Sequence, residues 1–536
     1  MLRAAAATLV LLPLAAFAAL AEPPHLLRQG GAAQLIVQGR PMLLLAGELS
    51  NSAASSREYL APHWARLKAM HLNTVIAPVS WELIEPREGA FDWRSVDGLI
   101  ADARANGLHL VVLWFGAWKN SMSTYAPAWV KRDFERFPRA KSADGQSVDI
   151  LSAFSAATRT ADARAFAALL ARVRADDTQQ DTVLMVQVEN EIGMLPSARD
   201  FSSAAERAFR APVPAILIRT LEAGKTSGSP LQQLWHANGA KHSGDWTALF
   251  GSGDDAAEVF SAWYYAEFVE ALVKAGKAAY ALPMYVNAAQ NRSGKRPGEY
   301  PSGGPLVQVW EAWKSGAPSL DLLAPDIYFA NFTDIAQRYR RADNPLFIPE
   351  ANYADRAEVP ANAFYAFGKL DALCVAPFSI DSVDDPPLNR LAHAYAVLEQ
   401  LEPAILANRG TMKMAAFRPH ILEDARVDES PVSETIGDYR FQVSFAEAKS
   451  TGGGLIIQLG RDEYLVSGQG MIVTFTSATD ESAHVGIDSD WEGSFGSDGR
   501  WIPGRLLNGD QTHQGRHLRL APDEFQIQRL KLYRYH

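Results

Sequence analysis

The stretch Val183-Leu184-Met185-Val186-Gln187-Val188-Glu189-Asn190-Glu191-Ile192-Gly193 decides the fold. An apolar run broken only by Gln187 leads into two carboxylates and stops at a glycine. That is the profile of a strand buried on both faces whose C-terminal end carries polar groups. A second run of this kind, Leu346-Phe347-Ile348-Pro349-Glu350-Ala351-Asn352, ends on Glu350. Outward from these two, the chain from residue 40 to about 400 alternates short apolar runs with amphipathic stretches, as repeated βα units do. Eight strands are expected, over residues 42–47, 73–78, 110–115, 183–188, 284–287, 322–326, 346–350 and 374–378. Between them Phe166, Leu169, Leu170 and Val173 follow i, i+3, i+4, i+7, and Phe260, Tyr264, Phe268 and Leu272 recur every four residues, both helical patterns. An α/β fold results, a (β/α)8 TIM barrel with insertions, for which an open doubly wound sheet is the alternative. No G-x-G-x-x-G or G-x-x-x-x-G-K-[ST] turn follows the first strand, so the common nucleotide-binding signatures are absent.

Composition narrows the partners. The 536 residues are 48% hydrophobic, enough for a large core, and 51 Lys+Arg against 61 Asp+Glu leave a net charge of -10. That is the wrong sign for tracking phosphates, and no nucleic-acid partner is expected. The single cysteine, Cys374, falls in the eighth expected strand as a core residue. No Cys/His cluster has zinc spacing, His236 and His242 included, so neither metal nor organic cofactor is expected. At the start, Arg3 precedes an apolar stretch over residues 4–18, then Ala19-Leu20-Ala21 and polar Glu22. This reads as a signal peptide cut after Ala21, giving a periplasmic or secreted protein free of the membrane, with an uncleaved anchor as the alternative.

After about residue 405 the period becomes two: Tyr439, Phe441, Val443 and Phe445 alternate with polar residues, and 455–459 and 471–475 are short β-type runs. The chain therefore divides into a signal peptide (1–21), a catalytic barrel with an N-terminal hairpin (22–404) and a C-terminal all-β, sandwich-like domain (405–536). In the last strand Phe525 and Ile527 share a phase that Leu530 and Leu532 do not, which predicts a bulge near Gln528-Arg529. The domain carries no catalytic constellation; packing against the barrel is its expected role, with dimerisation or glycan binding as alternatives. Residues 223–257 and 288–305, the latter holding Arg292, Lys295 and Arg296, read as rim insertions that shape substrate access or as solvated loops.

Chemistry is expected where barrel enzymes keep it, at the C-terminal ends of strands. Glu189 and Glu191 after the fourth and Glu350 after the seventh give carboxyls from two loops facing one mouth. Glycoside cleavage needs that layout, one group protonating the leaving oxygen and the other attacking or activating water. Singly, a glutamate at a strand end is as readily a solvated or salt-bridged residue.

The local words go further. Gln187 through Gly193 resembles the acid/base motif of glycoside hydrolase family 35, the retaining β-galactosidases. Leu72-Asn73-Thr74 to Trp81, Glu85-Pro86, Gly89-Ala90-Phe91-Asp92-Trp93 with Asp97, and Pro127-Ala128-Trp129 look like further segments of that family. The resemblance covers most of residues 35–400, and the C-terminal domain looks like one appended in a bacterial subgroup. It implies Glu191 as general acid/base, Glu350 as nucleophile and Asn190 as a partner of the sugar 2-hydroxyl. Glu189 would bind a sugar hydroxyl or orient Glu191, or else pair with a barrel-interior cation. The chain departs from the family at Pro78, where a tyrosine is usual, and at Gly116-Ala117-Trp118-Lys119-Asn120, where a Cys-Ala-Glu-Trp word is usual. Lys119 or Asn120 is expected to replace the missing acid as donor to sugar oxygens. Tyr328, in Pro325-Asp326-Ile327-Tyr328, is placed to hydrogen-bond Glu350 or to fill core. Among Trp81, Trp118, Trp129, Trp235 and Trp310, Trp118 is the expected stacking platform for a sugar, with packing as the alternative for each. The resemblance thus implies an exported retaining exo-β-galactosidase, with carboxyls about 5 to 5.5 Å apart. Its partners would be β-galactoside glycans such as galactosylated xyloglucan, and it would form a homodimer. Alternatives are an exo-glycosidase for β-L-arabinopyranosides and a non-catalytic glycan-binding barrel.

Overall fold

The computed structural model describes residues 22–29, 31–224, 228–446 and 448–536; the expected signal peptide lies outside them. Eight parallel strands close into a barrel: β1 (Leu44–Glu48), β2 (Thr74–Ser80), β3 (His109–Lys119), β4 (Val183–Asn190), β5 (Met284–Ala289), β6 (Leu322–Ile327), β7 (Ile348–Ala351) and β8 (Cys374–Pro377). All eight expected runs are strands, and β8 pairs with β1 to close the ring. Residues 40–42 instead join an antiparallel three-stranded sheet, His25–Gln29, Ala32–Val37 and Arg40–Met42, where a hairpin was expected. Leu35 and Val37 from that sheet bury against Leu44, Leu184 and Leu322 at the strand starts, sealing the end of the barrel opposite its mouth.

Alternation sorts the strand residues. Leu44 and Ala46 of β1, Leu113 and Phe115 of β3 and Tyr285 of β5 fill the interior. Val75, Val112, Trp114, Val186 and Val188 face the helices outside. The helical phases hold as well. Helix α1 (Ala156–Asp176) buries Phe166, Leu169, Leu170 and Val173, and the Ser155 side chain accepts the Thr158 N–H at its start. Helix α2 (Asp254–Ala279) buries Phe260, Phe268 and Leu272. Within 223–257 the described residues form helices Pro230–Ala237 and Trp246–Phe250, and the buried Trp246 meets Phe260 edge-on at 5.4 Å. That insertion buttresses α2.

Helix α3 (Val359–Lys369) and helix α4 (Arg390–Asn408) complete the barrel layer; α4 carries Pro403, and the expected boundary at 405 falls inside its last turn. Beyond it a six-stranded antiparallel sheet runs in the order Met414–Phe417, Gly453–Gln458, Glu463–Gln469, Gln526–Tyr535, His484–Phe495, Trp501–Leu506. A four-stranded sheet faces it: Val432–Ile436, Tyr439–Ser444, Met471–Ser477, Leu518–Leu520. Phe417, Tyr464 and Leu530 of the first sheet interdigitate with Phe441, Val473 and Leu518 of the second. The outer face of the larger sheet packs on α3, where the rings of Phe364 and Phe525 stack at 5.7 Å. A Cβ on Gly453 would stand 2.7 Å from that of Ala361, so the contact requires glycine there.

This two-sided burial corrects the expected bulge at Gln528-Arg529. Strand Gln526–Tyr535 pairs without interruption to Glu463–Gln469 from Gln526 to Lys531. Ile527 faces the barrel core and Leu530 and Leu532 the sandwich core, so the apparent change of phase is one strand buried on both faces. The irregularity lies across the ladder, between Ile487 and Ser489. A small hairpin, His420–Ile421 with Val427–Asp428, returns from the sandwich to the barrel rim. No helix among the described residues is long and apolar enough to cross a membrane.

Candidate active site

The site is built around an irregularity between β3 and β4. Trp114 pairs with Val188 and Lys119 with Asn190, so four residues of β3 stand opposite Glu189 alone. The Glu189 carboxyl fills the bulge: Ala117 N donates to Oε1 at 3.1 Å and Trp118 N to Oε2 at 2.7 Å. Asp162 of α1 supports it from outside, accepting from Trp114 Nε1 at 2.9 Å and Ala117 N at 3.0 Å. Gly116 is required, since a Cβ there would lie 2.3 Å from Trp114 Nε1 and 2.5 Å from Glu189 Oε1. Burial and the neighbouring Asp162 push the Glu189 carboxyl well above its usual range, and burial raises Asp162 to about 6.

Glu189 (φ 60°) and Glu191 (φ 45°) both occupy the left-handed region, which breaks the strand's alternation at its end. Glu189 therefore points outward and Asn190 inward, where its Oδ1 accepts from Lys119 Nζ at 3.0 Å. Asn287 of β5 fixes the turn by accepting the Glu191 N–H at 3.0 Å, and its amide donates to Asp326 Oδ2 of β6 at 2.6 Å. The Glu191 Oε2 accepts from the Asn120 side-chain amide. At β7, Glu350 Oε1 accepts from the Tyr328 hydroxyl, while Glu350 Oε2 is buried without a protein partner.

Oxygens of Glu191, Asp326 and Glu350 lie within 4.8 Å of one another. Such a spacing could hold a divalent cation, but protons resolve the repulsion equally well. Burial first and the Glu350 charge second raise Glu191 to about 7, with Lys119 pulling the other way. Burial, Glu350 and Glu191 hold Asp326 well above the carboxylate range. Burial and Glu350 likewise raise the Tyr328 phenol, which stays a donor.

Of the residues singled out from sequence, Glu191, Glu350, Asn190, Lys119, Asn120 and Tyr328 meet at this mouth. Two do not. Glu189 is a brace for the β3 bulge, with both oxygens committed to backbone N–H groups, so neither the sugar contact nor the cation partner holds. Trp118 lies outside the barrel, fully buried, its Nε1 donating to Leu151 O at 3.0 Å and its ring set edge-on against Tyr265 at 5.1 Å; a sugar cannot reach it. Trp81 and Trp310 are also buried, and Trp129 donates to Glu85 O at 3.0 Å. Cys374 is core, its thiol raised by burial.

Sequence reasoning missed Glu48 and Asp326. Glu48, 1% exposed at the end of β1, shares the interior face with Leu44 and Ala46, and neither carboxyl oxygen has a protein partner. Burial, then the Glu350 charge, raise it well above its usual range, which favours the protonated form, able to donate as well as accept. The signal was present: Leu43-Leu44-Leu45-Ala46-Gly47-Glu48 is a third apolar run ending on glutamate, and an expected strand closed at residue 47 cut it off.

Comparison with known proteins bears on both halves of the chain. Residues 53–217 match the model of glycoside hydrolase family 42, described as a β-galactosidase, and residues 391–519 match a domain of unknown function, DUF5597. That match is to family 42 and not to the family 35 that the motif words resemble. A β-galactosidase of Xanthomonas manihotis is 36% identical over 119 residues, 21% of this chain and 19% of that protein. Among solved structures, a β-galactosidase from Halorubrum lacusprofundi aligns at 17% identity over 67% of this chain and 58% of its own, with a TM-score of 0.45. One from Rahnella sp. R3 aligns at 16% identity over 67% and 56%, with a TM-score of 0.47. The chain thus spans less than two thirds of these relatives.

Proposed function

We propose that the chain is a retaining exo-β-galactosidase that releases non-reducing terminal β-galactosyl residues from exported-side glycans, galactosylated plant polysaccharides such as xyloglucan among them. One observation carries the reading: carboxyl oxygens of Glu191 and Glu350, from the ends of β4 and β7, within 4.8 Å. Retaining glycosidases hold their pair about 5–5.5 Å apart, whereas inverting ones need roughly 6.5–9.5 Å to admit a water. The β-galactosidase model matched by residues 53–217 supports the sugar class.

The chemistry follows from the contacts. Glu350 Oε1 is held by Tyr328, so the unpartnered Oε2 attacks the anomeric carbon as the bond to the leaving oxygen breaks. Glu191, raised to about 7, supplies the proton that oxygen takes. Ester formation removes the Glu350 charge, so Glu191 becomes the stronger acid, and its conjugate base then takes a proton from the attacking water. Unpartnered buried polar atoms surround the pair, both Glu48 oxygens and Asn190 Nδ2 among them, and a ring of hydroxyls satisfies them.

Azide rescue tests the roles. Glu350→Gly with azide should yield the α-galactosyl azide, and Glu191→Ala with azide the β-galactosyl azide, each identified by proton NMR. The β product from Glu350→Gly, or no cleavage of any aryl β-glycoside by the unaltered protein, would overturn the proposal.

A further inference from the structure

The matched domain of unknown function reaches the catalytic mouth through its hairpin, His420–Ile421 with Val427–Asp428. At the tip, Glu423 accepts the Ser293 N–H at 2.8 Å and the Ser293 hydroxyl with its other oxygen, which ties the hairpin to the loop after β5. Nearer the base, the His420 ring stands 2.9 Å from Asp334, on the helix after β6. Between hairpin and barrel lies an open cleft of about 680 Å³, lined by Arg292 and Ser293, by Tyr328 and Phe329, and by Glu423 and Arg426. It adjoins the reacting centre directly, because Tyr328 lines it while donating to the nucleophile Glu350.

We propose that this cleft is the subsite for the leaving group, holding neutral sugar units on the reducing side of the scissile bond, and that the β domain supplies one wall of it. The inference rests on the hydrolase reading above and adds where the rest of the glycan sits. The Glu191 and Glu350 carboxyls are buried, whereas Arg292, Ser293, Glu423 and Arg426 of the cleft are exposed, with Tyr328 and Phe329 half-buried between, so the cleft leads outward from the reacting centre and leaves room for a chain. Its volume lies within the ~300–1,000 Å³ usual for ligand sites. Two arginines and two acids balance its charge, which suits hydroxyl-rich neutral ligands better than an anion. The Arg292 guanidinium lies 5.2 Å from the Phe329 ring centroid, a flat surface rimmed with N–H donors that make no hydrogen bond to the described residues. Arg426 is oriented by Asp424, whose Oδ2 accepts from its Nε at 2.6 Å, leaving the two terminal nitrogens for a ligand. A hexose chain offers both surfaces their complement, C–H faces for the plate and hydroxyl pairs for the forks.

The test compares 4-nitrophenyl β-galactoside with a galactosylated xyloglucan oligosaccharide, and measures by calorimetry the binding of that oligosaccharide after its galactose has been removed. Arg292→Ala and Arg426→Ala change exposed side chains, and circular dichroism with a melting curve confirms their fold. Each should lower the ratio of kcat/KM for the oligosaccharide to that for the aryl galactoside roughly five- to tenfold, the loss of one or two charge-assisted hydrogen bonds. Each should also weaken binding of the galactose-free oligosaccharide by a similar factor. An unchanged ratio with unchanged binding in both variants overturns the subsite while leaving the hydrolase reading intact. Arginine-dependent binding without turnover of either substrate upholds the subsite and removes the catalytic reading.

Discussion

Glu350→Gln removes the charge beside Glu191 without changing its shape, and the structure fixes how far Glu191 should respond. With the nearest oxygens within 4.8 Å, two unit charges at an effective dielectric near 20 repel by about 3.5 kcal/mol, or about 2.5 pH units. Spreading each charge over two oxygens lowers this figure, while any nearest separation below 4.8 Å raises it. Burial is the larger cause of the rise to about 7 and survives the substitution, so Glu191 should fall without returning to its ordinary value of 4.5. A drop of about one to two units is expected. Carbon-13 NMR of glutamate-labelled protein follows the titration, with Glu191→Gln identifying the resonance, and no turnover is needed. A Glu191 titration that does not move in Glu350→Gln would refute the pairing of the two groups, and with it the explanation of how one residue serves as acid and then as base.

Glu48→Gln should keep kcat/KM within about threefold, because an amide keeps the donor and acceptor of the protonated form that burial favours, whereas Glu48→Ala should lose roughly 10- to 100-fold by stripping both from the mouth. Equal losses in the two would show that Glu48 acts as an anion. Glu189→Ala should lower stability by about 2–4 kcal/mol, read from urea unfolding, since it strands the N–H groups of Ala117 and Trp118 and leaves a cavity. Trp118→Phe should lower the melting temperature and leave KM for an aryl galactoside within about twofold, because the indole meets Tyr265 and Leu151 and no ligand. Stability should also decline as pH rises. Glu191 and Glu258, the latter buried in α2, are both about 7 in the folded chain, and Asp162 is about 6, all above their unfolded values, with burial the first cause in each. The folded state therefore holds the extra protons, and that contribution is full below about pH 4 and lost on passing through pH 6 to 7. Melting temperatures that climb over this interval would contradict the three assignments.

The barrel was legible because both of its signals are local. A strand buried on two faces must be apolar at nearly every position, and an outer helix must repeat its apolar face every three or four residues, so the runs ending at Glu191 and Glu350 and the phases of α1 and α2 could be read directly. The meeting of Glu191 with Glu350 was legible for a related reason: in a parallel barrel every strand end points to the same mouth, so strand order alone brings β4 and β7 together. What stayed hidden depended on partners distant in the chain. Leu530 and Ile527 look out of phase until α3 is known to cover the sheet's second face. Trp118 looks like a platform until α2 is seen to occupy that side of β3.

Glu189 shows most clearly where strand alternation misleads. Residues 187, 189 and 191 should share one face of an ideal strand, and on that rule Glu189 belongs with the sugar. Two left-handed glutamates overturn the rule, at a cost of order 1–3 kcal/mol each, a strain that persists only where its surroundings over-determine it. The surroundings here are specific: the Ala117 and Trp118 N–H groups with Asp162 hold Glu189, and the Asn287 side chain holds the Glu191 N–H. The strain is what turns Asn190 and Glu191 together into the mouth, one toward Lys119 and the other toward Glu350. An acid that faces away from the mouth thus sets the direction of one that faces into it, and the motif's first glutamate is tied to the site through the geometry of its second.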